Sequence, residues 1–200
     1  MQDLERQQSI NNERAVLARV VLPDGEKDDD PLSEIAGLAT TAGTEIVGEL
    51  IQRRQSMVSA TAIGKGKVDE LAMLVENHAA DVVIFDNDLN PAQIRNLEKA
   101  SKVKVIDRTE LILDIFASNA RTMEARLAVE LAQLEYSLPR LKRMWTHLSR
   151  IKMGVGMRGP GEKQLEMDRR LVEKRISDLK RELDVILRRK ERQVASRRDV

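Results

Sequence analysis

Two long runs of helical periodicity set the outline of this chain. From Thr109 to about Ile151, Phe116, Ala120, Met123, Leu127, Leu131, Leu134, Leu138, Leu141, Trp145 and Leu148 recur at steps of four and three. From Leu165 onward, Val172, Ile176, Leu179, Leu183 and Ile186 recur at steps of seven, four and three. Such spacing draws one apolar seam along a helix. About forty residues of helix reach roughly 60 Å, far beyond the width of a small core. The second run reads as the antiparallel partner of the first, and the short connection favours folding back over pairing with another molecule. Pro139 removes a hydrogen bond to the Glu135 carbonyl, which predicts a bend within the first rod.

The connection itself, Ile151 to Leu165, reads I-K-M-G-V-G-M-R-G-P-G-E-K-Q-L. Four of the chain's ten glycines, Gly154, Gly156, Gly159 and Gly161, stand within it. Glycine reaches backbone conformations closed to other residues and admits close backbone approach. Two readings follow: a flexible interhelical loop, or a deformable cationic tip on a stiff stalk.

The preceding half has a different rhythm. Ala15 to Leu22 is a β-branched apolar run of strand length, closed by Pro23-Asp24-Gly25. Pro31 opens a short helix over Leu32 to Thr41, with Gly43 as its stop, and Thr44 to Gln55 reads as a second strand. A helix follows over Gly66 to Ala80, then a continuous apolar strand at Asp81 to Asp86 of the kind covered on both faces. Pro91 leads a helix over Ala92 to Ala100, and Lys102 to Ile106 is a fourth strand. The alternation predicts a small, mainly parallel four-stranded α/β sheet with flanking helices over residues 14–108. A helical hairpin is expected over 109–192 with its tip at 152–163, a disordered lead-in over 1–13 and a charged tail over 193–200.

Charge sharpens the division. The net charge is +1, yet residues 140–200 hold 19 Lys and Arg against 9 Asp and Glu, and residues 1–139 hold 15 against 24. A basic half gains from releasing counterions when it meets a phosphate polymer, so nucleic acid is the favoured partner over a merely charged coiled coil. Aromatic residues make up only 2%, which suits charged helices better than a thick core. The absence of cysteine excludes disulfides, thiolate nucleophiles and cysteine–zinc sites. No apolar run spans a bilayer and no apolar signal region opens the chain, so a cytoplasmic protein is expected.

Three features invite chemistry and yield little. Gly64-Lys65-Gly66-Lys67 suggests a phosphate loop, but a Walker spacing would place its first glycine at Thr61 and its hydroxyl at Val68. A weak anion site at the following helix N-terminus stays open. Asp86, Asp88 and Asp107 fall at strand ends, where α/β folds hold ligands, and read as helix caps in preference to catalytic carboxylates. Asp28-Asp29-Asp30 reads as a solvated loop, and His78 and His147 are too far apart in the pattern for a metal pair.

The motifs together resemble the N-terminal region of the HflX family of ribosome-associated GTPases. The resemblance is carried by Gly64 to Lys67, Leu97-Glu98-Lys99, Val105 to Thr109, Leu111 to Phe116, Val129 to Leu134, Leu138 to Leu141 and Trp145. Most specific are Arg158-Gly159-Pro160-Gly161-Glu162, Gln164-Leu165-Glu166 and Asp168-Arg169-Arg170. It implies an α/β subdomain and a two-helix hairpin whose tip points toward the peptidyl-transferase region of the 50S subunit, in a protein that splits stalled ribosomes under stress. Carried over, the tip comprises Gly154, Gly156, Arg158, Gly159, Pro160, Gly161 and Glu162. Arg150, Lys152, Arg158, Lys163, Arg169 and Arg170 are the expected rRNA phosphate contacts. Met153, Met157 and Lys163 depart from the usual tip pattern.

The resemblance also implies GTP and Mg2+ for the full-length family, held by a P-loop domain whose motifs these 200 residues lack. No enzymatic activity is therefore expected of this chain, and the GTPase domain is a partner in cis or in trans. A monomer is expected. The rival reading is a coiled-coil module that oligomerises without binding RNA.

Overall fold

The computed structural model describes the backbone of residues 10, 12–23, 30–151 and 160–198, with the side chains of 140–166, 168 and 194–198 outside the description. The chain divides into two compact units, Met1–Ser118 and Asn119–Val200.

The first unit alternates strand and helix: β1 (Arg14–Val21), α1 (Ser33–Thr41), β2 (Glu45–Arg53), α2 (Lys65–Asn77), β3 (Val82–Phe85), α3 (Pro91–Ser101), β4 (Lys104–Asp107) and α4 (Arg108–Asn119). The four strands form one sheet in the order β2-β1-β3-β4, every pair parallel. This is the α/β sheet that the alternation predicts. Sequential strands lie on opposite sides of β1, so right-handed crossovers must put their helices on opposite faces.

The burial follows. On one face Val16, Ala18, Val20, Val83 and Phe85 pack with Leu71 and Val75 of α2 and Ile94 and Leu97 of α3. On the other, Ala15, Leu17, Val82 and Ile84 pack with Ile35 and Ala39 of α1 and Leu111 of α4. All four residues of β3 are buried, which explains its unbroken apolar run. A register shift between Ala15 and Val16 lets Val47 bulge from β2.

Local chemistry sets the helix boundaries. Gly43 takes φ 82°, a left-handed conformation that a Cβ disfavours, and its amide closes α1 onto the Thr40 carbonyl. Pro91 occupies the first turn of α3. Asn90 caps it by accepting from the amides of Ala92 and Gln93, while the Gln93 side chain accepts in return from the Asn90 amide.

The second unit contains α5 (Met123–Ile151) and α6 (Pro160–Arg198). The single rod predicted from Thr109 to Ile151 is divided at residues 120–122. The Thr122 hydroxyl accepts from the Ala125 amide at 3.1 Å and starts a new helix, and Arg126 Nε donates to the Ala120 carbonyl at 3.1 Å. Phe116 and Met123, placed on the apolar seam by spacing, are 56% and 70% exposed. Pro139 lies inside α5, which stays helical through it. Leu127 on α5 and Val172, Ile176 and Leu179 on α6 are buried.

Candidate nucleic-acid interface

The predicted contact residues fall at the junction of α5 and α6. Arg150 is the penultimate residue of α5. Lys152, Gly154, Gly156, Arg158 and Gly159 lie outside the described residues. Pro160, Gly161, Glu162 and Lys163 belong to the first turn of α6 and not to the connection, so the helix begins earlier than the glycine content suggests. Proline suits a first helical position because its missing N–H has no intrahelical partner there, and Glu162 sits where the helix dipole favours an anion.

Further along α6, Arg169 Nε donates to Glu173 Oε1 at 2.9 Å, half-exposed on both sides. Arg170 is exposed and also has a partner. Most other described cations of α6 are matched. Arg175 grips Glu130 of α5 through two parallel bonds of 2.7 and 2.8 Å, and the bidentate bond raises the guanidinium pKa. Lys180 meets Glu135 at 2.7 Å, and Lys190 pairs with Glu124. Arg181 and Arg188 are held by Asp178 and Asp184 one turn back on α6. Among the described residues of α6, these five cations are thus each matched by a carboxylate.

The carboxylates at the strand ends of the first unit do other work than the sequence suggests. Asp86 is not a cap: its side chain is 4% exposed and lies 3.1 Å from Arg19 Nη1 and 3.1 Å from Arg108 Nη1. Arg108 also clasps Glu34 of α1, and that hydrogen bond holds the Glu34 carboxyl below the usual range. Asp88 accepts from the Thr109 hydroxyl and likewise caps no helix. Asp107 does cap, accepting from the Glu110 amide at 3.0 Å, so Thr109 is not the N-cap that the pattern implies.

Open α/β sheets hold ligands beyond the strand ends where the strand order reverses, here between β1 and β3. In this chain the Asn87 amide fills that place. It accepts from Val20 N at 2.6 Å and donates to Val20 O at 3.0 Å, lengthening the ladder with a side chain. Arg19, Asp86, Arg108 and Glu34 close the same edge with internal ion pairs.

Residues Gly64 to Lys67 form the start of α2. The Gly64 amide already donates to Gln52 Oε1 at 2.8 Å, and Lys67 pairs with Glu70. A Cβ on Gly64 would stand 2.9 Å from Arg54 Nη1, so glycine here answers a close approach by side chains of the same chain. Among the described residues no cluster of acidic and histidine side chains could hold a metal, and no helix is long and apolar enough to cross a membrane. Arg108, Asn87 and Gln52 were not singled out by spacing, because their partners are distant in sequence.

Two family profiles match the chain: one described as GTP-binding GTPase N-terminal over residues 29–117, the other as GTP-binding GTPase Middle Region over 119–197. Proteins named GTPase HflX from Caldanaerobacter subterraneus subsp. tengcongensis and from Escherichia coli are 47% and 45% identical, over 92% of this chain in each case. The match covers 42% and 43% of their own lengths, so this chain spans less than half of these relatives. A GTP-binding protein from the hyperthermophilic archaeon Sulfolobus solfataricus, solved with GDP, shares the fold at TM-score 0.58 and 23% identity, over 86% of this chain and 45% of that one. A structure described as the SsGBP and GDP complex superposes at TM-score 0.66 with 23% identity, over 90% of this chain and 46% of its own.

Proposed function

This chain belongs to the HflX family of GTPases, and from that premise we propose that it is the module that attaches such a GTPase to the large ribosomal subunit. In this reading α5 and α6 form an antiparallel coiled-coil hairpin, and its cationic end at 152–163 enters folded rRNA. GTP and Mg2+ act in the remainder of the full-length protein, in cis or in trans, and this chain supplies binding without turnover. The working setting is the cytoplasm, with the chain a monomer and the outcome the splitting or rescue of ribosomes under stress.

The observation that carries the reading is the pairing of the two helices around residues 152–159. Lys190, far along α6, meets Glu124 at the start of α5, while Arg175 and Lys180 meet Glu130 and Glu135 nearer the connection. The Glu124–Lys190 pair encloses the other two in sequence, as a fold-back requires. Arg150, Lys152, Arg158 and Lys163 stand in the stretch where phosphate contacts are proposed. RNA in such a setting is read by shape and backbone more than by base edges.

The test is co-sedimentation of the chain with purified large subunits. Arg158→Glu combined with Lys163→Glu should abolish pelleting while helix content and melting stay unchanged. Pelleting equal to the parent chain would refute the assignment. A second reading, oligomerisation through helix faces, is favoured by the exposed Leu171 and Val185 on α6. Light scattering separates them: a stable dimer at micromolar concentration supports oligomerisation, a monomer the ribosomal reading.

A further inference from the structure

Near its C-terminal end α6 bears two arginines whose carboxylate neighbours are missing. Among the described residues, Arg189 has no hydrogen-bond or ion-pair partner, and Arg192 donates only Nε, to the Arg188 carbonyl at 3.2 Å. This contrasts with Arg175, Lys180, Arg181, Arg188 and Lys190, each facing a carboxylate. Lys190 is the last of these to reach α5, through Glu124, the second residue of that helix. Beyond it α6 runs on to Arg198.

Val185, Arg189, Arg192 and Gln193 line one shallow concavity. Their spacing puts all four on a single helix face. Its floor is aliphatic, since Val185 is 59% exposed. A phosphate takes the outward N–H groups of a guanidinium as a fork, and an unstacked base lies flat on a guanidinium plane or an aliphatic side chain.

We propose that this face is a second RNA contact, well separated along α6 from the glycine-rich end. It binds the sugar–phosphate backbone of a single-stranded or bulged nucleotide through Arg189 and Arg192. The proposal rests on the ribosomal reading above and extends it: the hairpin engages RNA at two places along its length. The separation is large, because Pro160 and Arg189 are about 43 Å apart at 1.5 Å per residue. Charge complementarity favours RNA over a protein occupant here: Arg188 and Lys190 are matched by Asp184 and Glu124, which leaves Arg189 and Arg192 as the uncompensated cations of this face, with Glu191 the one acid beside them in sequence.

The experiment measures binding of the 200-residue chain to purified large subunits across a salt series, for the parent, Arg189→Glu/Arg192→Glu and Arg189→Lys/Arg192→Lys. Both positions are exposed, and circular dichroism checks that helix content holds. The charge-reversed variant should lower the slope of log affinity against log salt by about 1.4 units, taking about 0.7 per phosphate contact on a single strand. At about 0.1 M salt that corresponds to a loss of roughly 25-fold, over a tenfold range below 1 M. The lysine variant should keep the slope and lose a few-fold in affinity.

Unchanged slope and affinity in the charge-reversed variant, with binding still lost in Arg158→Glu/Lys163→Glu, would overturn this contact and leave the tip standing. Unchanged binding in both would overturn the ribosomal reading itself. A parent dimer that the charge reversal converts to monomer would assign the face to a second copy of the chain, and the proposal would fail.

Discussion

Replacing Asp86 by alanine should be among the most damaging single changes at the surface-facing edge of the α/β sheet. The carboxylate is almost fully buried and stands 3.1 Å from a nitrogen of Arg19 and 3.1 Å from one of Arg108. At such separations and an effective dielectric near 20, each attraction is about 5 kcal/mol before desolvation is set against it. Removing one member of a buried ionic group typically costs about 3–5 kcal/mol, because the remaining charge is stranded. Here the loss should fall nearer 2–3 kcal/mol. Arg19 and Arg108 keep 23% and 32% of their side-chain surface in water, and Arg108 retains Glu34. For a unit of roughly a hundred residues that lowers the melting temperature by about 10–20 °C. Amide exchange of β1 and β3 reads the stability of this unit directly. A cycle with Arg108→Met should give a coupling of about 1 kcal/mol or more. A stability loss below about 1 kcal/mol, or additive single changes, would refute the view that these charges hold the edge together.

Three further outcomes follow from the same structure. Burial pushes the Glu13 carboxyl up, against the opposing pull of Lys104, with Asp81 and Asp114 adding to the rise, and its Oε2 has no partner. A raised folded-state pKa in an acid costs stability above that pKa and costs nothing below the unfolded value, so Glu13→Gln should stabilise at pH 7 and lose its advantage near pH 3. Glu34 has the opposite sign: its lowered pKa contributes above the unfolded value and fades as pH falls through the folded one, so Glu34→Gln should weaken the unit only above about pH 4. Urea titrations at several pH values check both. Finally, Leu179 is fully buried in the helical unit, and Leu179→Ala should cost about 3 kcal/mol. Calorimetry should show the α5–α6 transition fall in temperature while that of the sheet stays in place.

Much of the α/β half was legible because its signals are local. The unbroken Val82–Phe85 run, Pro91 at a helix start and Gly43 at a helix end each carry their meaning within a few residues. The division at residues 120–122 was not, because apolar spacing continues through it and only the Thr122 hydroxyl, competing for a backbone amide, breaks the helix. Asp86 looked like a cap for the same reason in reverse. Its partners, Arg19 and Arg108, come from the neighbouring strand β1 and from α4, and only the strand order brings them together. The Asn87 amide on Val20 is likewise a product of topology. At the proposed interface, composition and spacing marked the cations, but which of them are already spent on carboxylates of α5 required the coordinates.

That expenditure bears on how such an arm would travel. A rod whose flank carries plus and minus in register has almost no long-range pull on a polyanion lying alongside it, since fields of matched neighbours cancel within a Debye length. Whatever attraction survives comes from cations without such neighbours. On the proposed reading, an approach from the side would gain little and a lengthwise one more, so Arg175, Lys180 and Lys190, paired to α5, would set heading as well as clamp the helices, and Arg181 and Arg188, paired within α6, would set heading alone.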